Sequence, residues 1–225
     1  MKGAIVQSSF IPWRGYFDII READIFVIYD DVQYTSRDWR NRNKLKTFTG
    51  TKWLTVPVQN AAQQTKINEI KIDQSKNWIV EHHNAWQTCY KHAPFLSDVL
   101  EILELLDINE TFLSDLNAKL IRKICSYLNI TTKIINSSEL EVTGVKTERL
   151  IRVLQTVGCN QYITGPSASN YIDETMFKKN SIEIFYKNYE YKEYNQQHGV
   201  FEPHVSVLDL IANVGSASAA YIRST

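Results

Sequence analysis

The sequence predicts an α/β fold of Rossmann-like type, a mostly parallel sheet with a helical insertion. Three observations predict it. The first thirty residues alternate strand, loop, helix and strand; residues 76–128 read as successive helices; and strand–helix alternation then resumes to residue 215. A strand–helix–strand unit implies a crossover connection, and hence parallel pairing.

The elements follow in order. GAIVQ (3–7) is a short apolar run, as a buried parallel strand reads. SSFIPWRG (8–15) is a loop, since Pro12 lacks a ladder donor. YFDIIREA (16–23) sets Phe17, Ile20 and Ala23 on one helical face. IFVIYDD (25–31) is the clearest strand. KWLTVPVQ (52–59) reads as a strand whose Pro57 marks an edge or an end, and INEIKI (67–72) alternates as a half-exposed strand does.

Helices are expected at 76–92, at 94–106 with Pro94 in the first turn, and at 109–128 with Asn109 as cap. Beyond the insertion come a strand at 133–135, a helix at 146–157 ending at Gly158, and a strand at 161–165. A helix at 171–180, a strand at 182–187 and a helix at 203–215 complete the chain. No repeat or interdomain linker interrupts it, so residues 1–225 read as one domain with an insertion at about 76–128.

Composition narrows the function. Lys+Arg and Asp+Glu both number 25, which disfavours general capture of nucleic acid or anionic membrane. No stretch of eighteen apolar residues predicts a membrane span. Cys89, Cys125 and Cys159 are odd in number and without a CxxC spacing. They read as free thiols packed in helices, and the expected location is cytoplasmic.

Ligands of open α/β sheets bind beyond the carboxyl ends of the strands. Three polar segments fall there: Gln7–Tyr16, Asp30–Lys44 and Gly165–Asp173. The first lacks a GxGxxG or P-loop pattern, but the start of its helix offers amides to an anion, and Trp13 and Tyr16 are candidate contacts. The second places Asp30 and Asp31 at a strand end, one free to face a ligand while the other pairs with an arginine. In an extended chain Arg40 and Arg42 share a face, as do Asn41 and Asn43. Arginine forks suit phosphate, and asparagine suits sugar hydroxyls or base edges. Equally, this segment reads as a solvated loop whose charges neutralise one another. The third offers Gly165, Pro166, Ser167 and Tyr171 before a helix, without a GxSxG elbow. No metal ligand set is expected, because HExxH is absent and adjacent His82 and His83 diverge on a helix. His198 and His204 flank a loop; either can serve as a base, and either can be merely exposed.

QSSFIPWRGYFDII, ADIFVIYDDVQYTSRDWRNRNKLK, WLTVPV, YITGPSASNYID and FEPHVSVLDLIANVG, in this order, closely resemble the WbqC-like family. The resemblance spans nearly the whole chain. Gln7 is followed by Ser8, where the family typically has proline. The resemblance implies a role in bacterial surface-polysaccharide (O-antigen) synthesis, as a transferase moving an acyl or aminoacyl group to the amine of a nucleotide-linked amino sugar. The acyl donor expected with it is a thioester of coenzyme A or an acyl-carrier protein. On this reading Arg40, Arg42 and Lys44 hold a diphosphate, and Gln33, Asn41 and Asn43 read sugar or base. Asp30, Asp31 or His204 takes the proton. A nucleotidyltransferase-like enzyme and a non-catalytic binder of sugar nucleotide or acyl carrier are the alternatives.

Overall fold

The computed structural model describes residues 1–108 and 110–224. The sheet is parallel and five-stranded, and its strands are β1 (Lys2–Val6), β2 (Ile25–Ile28), β5 (Lys133–Asn136), β6 (Gln161–Thr164) and β7 (Glu183–Tyr186), ordered β5-β2-β1-β6-β7. The Rossmann-like expectation holds. β1 lies between β2 and β6, with Ala4 paired to Phe26 on one side and to Ile163 on the other. β2 is buried throughout, whereas β5 and β7 at the edges are mostly half-exposed or exposed. This is why β2 is the plainest strand in the sequence.

Side chains alternate across the sheet and divide the core in two. Ala4, Phe26, Ile28 and Ile163 pack into a cluster with Phe17 and Ile20 of α1 (Arg14–Glu22). The same cluster holds α2 (Trp78–Cys89), α3 (Leu96–Leu103), α4 (Leu113–Tyr127) and α7 (Val207–Val214). On the other face Ile5, Ile25, Val27 and Tyr162 pack against α5 (Lys146–Thr156) and Phe177 of α6 (Glu174–Lys179). The inserted helices therefore share the core of the sheet. α4 supplies the crossover from β2 to β5 and buries Leu116, Leu120, Ile121 and Ile124.

A separate antiparallel hairpin joins β3 (Arg42–Thr47) to β4 (Gly50–Thr55). β4 stops two residues before Pro57, as the missing donor requires. The expected strand at 67–72 is instead a short 3₁₀ turn over Ile67–Glu69, followed by single bridges Lys71–Phe112 and Val58–Ile72. Its alternation reflects Ile67, Ile70 and Ile72 plugging the core rather than a ladder. Pro94 precedes its helix, which starts at Leu96. The last sheet crossover is capped by Asp173, whose carboxylate accepts from the Thr175 and Met176 amides; Pro166–Asn170 before it form a 3₁₀ turn. The proposed cap Asn109 lies outside the described residues. No helix among them is long and apolar enough to cross a membrane.

Two polar side chains inside this framework carry a measurable load. Asp31 accepts from Arg149 of α5 and from the Ser137 hydroxyl, and Arg149 lies over the Tyr29 ring at 5.0 Å. The pair locks the end of β2 to the far-face helix. His82 of α2 is 2% exposed, its Nε2 donates to the Thr55 carbonyl at 3.2 Å, and its Nδ1 has no partner among the described residues. Burial, opposed only in part by the Thr55 bond, drops its pKa from 6.5 to about 4.

Two outcomes are expected. The lowered His82 pKa contributes stability that is complete above pH 6.5 and is lost as pH falls toward 4, about 3 kcal/mol by linkage. Chemical denaturation from pH 7 to 4.5 should therefore show a steeper acid loss in the native chain than in His82→Leu. Parallel curves would remove His82 as a cause. Arg149→Ala, which strands a nearly buried carboxylate, should cost about 3 kcal/mol in the same assay.

Candidate functional site

The strand order reverses direction between β1 and β6: the chain steps outward through β2 and β5, then returns to the other side of β1. α1 leaves β1 and α6 leaves β6 on opposite faces of the sheet, which opens a crevice beyond the carboxyl ends of these two strands. The loops from all five strands end around it.

The loop after β1 is held rigidly. Asp30, 4% exposed, accepts from the Ser8 amide at 2.8 Å and from the Ser114 hydroxyl of α4 at 2.6 Å. Burial pushes its pKa up, while the bonds from Ser114 and Ser8 pull it back. Asn117, also on α4, donates to the Ser8 hydroxyl at 3.0 Å and to the Arg40 carbonyl at 2.9 Å. Asn43 donates to the carbonyls of Phe10 and Ile11 at 3.1 and 2.8 Å, and the Phe10 amide reaches the Trp39 carbonyl at 3.0 Å. So clamped, buried Ile11 sits at φ 35°, a conformation that β-branched residues rarely occupy. Gly15 admits the Trp13 indole against α1, because a Cβ there would lie 2.4 Å from the ring.

The crevice holds two cavities. The larger, about 850 Å³, is lined among others by Gln7, Tyr29, Lys146, Thr164, Ser167 and Tyr171. The smaller, about 350 Å³, is lined by Ser9, Pro12, Trp13, Tyr16, Trp39 and His204. Val6, Ile19, Arg40 and Tyr189 line both, so Arg40 stands on their common wall. Its Nη1 donates to Gln7 Oε1 at 3.0 Å, its Nε lies 3.9 Å from Asp38, and that Nε has no hydrogen-bond partner among the described residues. No carboxylate among the described residues lines either cavity there. The Trp13 ring meets Tyr189 at 5.0 Å and His204 at 5.6 Å. Burial raises the Tyr189 phenol to about 12 and holds Tyr16 well above its ordinary value, so both remain protonated near neutrality.

Sequence reasoning placed these residues unevenly. Gln7, Trp13, Tyr16, Arg40, Asn43, Gly165, Ser167, Tyr171 and His204 all line the crevice, and Pro166 opens the turn beside it. Asp30 and Asp31 line neither cavity; one holds the β1 loop and the other pairs with Arg149. Arg42 and Lys44 lie on the outer face of the hairpin, at 4.3 and 5.2 Å from the Trp53 ring. Gln33 and Asn41 line a different pocket. The sharing of a face expected for Arg40 and Arg42 fails because β3 begins only at Arg42. Tyr29, Trp39, Lys146, Thr164 and Tyr189 escaped notice. Lys146 and Tyr189 follow β5 and β7, so the strand-end rule applied to all five strands would have found them.

The model of the WbqC-like protein family matches residues 7–221. A protein of Mycobacterium tuberculosis (strain ATCC 25618 / H37Rv), described as "Uncharacterized protein Rv1507c", is 46% identical over 226 residues, covering 99% of this chain and 97% of its own. No solved structure matches. The matched span takes in both crevice loops, the hairpin, the inserted helices and α7, and the chain belongs to the WbqC-like protein family.

Proposed function

We propose that the crevice binds a nucleotide-linked amino sugar and that the chain transfers an acyl or aminoacyl group to its amine, as a step of bacterial surface-polysaccharide synthesis. One observation carries the reading: a cleft at the sheet's switch point presents Arg40 and Lys146 without any lining carboxylate among the described residues, between walls of tyrosine and tryptophan. Two cations on a lining without a carboxylate among the described residues suit a diphosphate, with Asp38 beside Arg40 at 3.9 Å. Aromatic faces suit the flat base and the apolar face of a sugar ring. Gln7, Thr164 and Ser167 supply the neutral hydrogen-bonding groups that sugar hydroxyls require.

The chemistry asks little more of the protein. The amine nitrogen attacks the carbonyl carbon of a thioester, the C–N bond forms, and the C–S bond breaks to release thiolate. The nitrogen must lose a proton. Among Asp30, Asp31 and His204, only His204 lines the cleft, and its ring makes no hydrogen bond within the described residues. We assign it the role of base. The released proton then satisfies the leaving thiolate. Coenzyme A or an acyl-carrier protein is the donor consistent with this scheme. The cytoplasm, where such donors and sugar nucleotides occur together, is the matching location.

Calorimetric titration with nucleoside-diphosphate-linked amino sugars should give saturable binding. Arg40→Ala should weaken it roughly 10- to 100-fold, the worth of one charge-assisted contact of about 1.5–3 kcal/mol. His204→Ala should leave the affinity within a few-fold and lower acylation, measured by mass spectrometry with acetyl-coenzyme A, about 100-fold or more. Unchanged affinity in a folded Arg40→Ala chain would contradict the reading. Pyrophosphate release from a nucleoside triphosphate would replace it with nucleotidyl transfer.

A further inference from the structure

Arg40 and Asn41 are consecutive, yet they line different cavities. Arg40 lines the crevice; Asn41 lines a pocket of about 560 Å³ between residues 33–37 and 58–63. The two segments are tied together, with Gln33 bridged to Lys66, the Tyr34 amide donating to the Thr65 carbonyl at 2.9 Å, and Gln33 Nε2 donating to the Gln63 carbonyl at 2.6 Å. The pocket walls therefore keep their spacing without a ligand.

Its chemistry is unlike that of the crevice. Five side-chain amides line it, those of Gln33, Asn41, Gln59, Asn60 and Gln63. The hydroxyls of Thr35 and Ser36 and one cation, Arg37, join them, and no carboxylate does among the described residues. Asn41 is 7% exposed. Its Nδ2 donates to the Val56 carbonyl at 2.9 Å, but its Oδ1 has no partner among the described residues. That oxygen is closed off from the pocket, so the amides a ligand meets are the exposed ones of Gln33, Gln59, Asn60 and Gln63. Amides both donate and accept, which matches hydroxyls that do the same. A single arginine and no acid give no strong demand for charge. The volume falls in the ordinary range for a small-molecule site.

We propose that this pocket is a second binding site, separate from the crevice, for an uncharged saccharide, with sugar hydroxyls or an N-acetyl amide paired to the exposed side-chain amides of Gln33, Gln59, Asn60 and Gln63. It does not depend on what the crevice binds. A carrier of growing glycan and a free sugar share this chemistry, and both would place neutral sugar rings here.

The test is a titration of the isotope-labelled full chain with maltose and with N,N′-diacetylchitobiose, read by NMR at the side-chain amide signals. Saturable shifts at Gln33, Gln59 and Gln63 are expected, with little change at Trp13 or the other crevice indoles. Asn60→Ala and Gln63→Ala, at exposed positions that should not disturb folding, are each expected to weaken binding about fivefold, one hydrogen bond's worth. Silence at these amides with both sugars overturns the proposal, as do shifts confined to the crevice. A nucleotide-sugar titration that moves only crevice signals leaves the crevice reading intact and does not rescue this one.

Discussion

One buried carboxylate organises the functional end of the molecule. Asp30 sits where β2 leaves the sheet, and three other pieces of chain converge on it. Its side chain receives the Ser8 amide from the β1 loop and the Ser114 hydroxyl from α4, and its carbonyl receives the Asn68 amide from the turn after the hairpin. Ser8 in turn is bonded by Asn117, which also holds the Arg40 carbonyl. Removing the carboxylate leaves a buried amide and a buried hydroxyl unpaired, at about 1–3 kcal/mol each. α4 is at once the crossover of the sheet and, through Ser114 and Asn117, an anchor of the loop after β1. The arrangement explains how Ile11 persists at positive φ, since bonds on both sides of the loop outweigh its local strain.

The fold was legible because its signals are local and periodic. The short apolar strands, the helical stripes of α1 and α4, and the glycine or proline at several boundaries all act through neighbours a few residues apart. Where local pattern misled, tertiary packing had overridden it. Ile67, Ile70 and Ile72 alternate as a strand does, but they insert one by one into a core shaped by α4. The hairpin was half visible: β4 reads as a strand, but β3, carrying RNRNKLK, reads as a polar loop. Its buried positions are Asn43, Leu45 and Lys46; Leu45 is apolar, but Asn43 is buried because it bonds the Phe10 and Ile11 carbonyls more than 30 residues away. Lys46 is buried because Nζ finds Gln196 and the Val200 carbonyl more than 140 residues away, beside Asp209, which Tyr90, Tyr194 and Gln196 bond.

The site was legible as a location and less so as chemistry. The rule that ligands gather beyond strand ends placed nine of the named residues on the crevice, yet it could not say which polar groups the fold would keep for itself. Asp30, Asp31, Arg42 and Lys44 look alike in sequence to Arg40. They are spent on holding loops, on a salt bridge with Arg149, and on stacking over Trp53. The distinction rests on distant partners, Ser114, Arg149 and Trp53, that no window of sequence around residues 30–44 contains. What remains is a crevice whose two cavities share Arg40, one lined by Lys146 and the other by His204, and a second, amide-lined pocket at the neighbouring Asn41.

The central physical claim is that Asp30 fixes the β1 loop and, through it, the cleft. Amide hydrogen exchange on Asp30→Ala tests it most directly. The account predicts that protection falls sharply across residues 8–13 and 39–41 while β1, β2 and β6 keep theirs. Native protection of the loop in a folded variant would contradict it and place the organising interaction elsewhere.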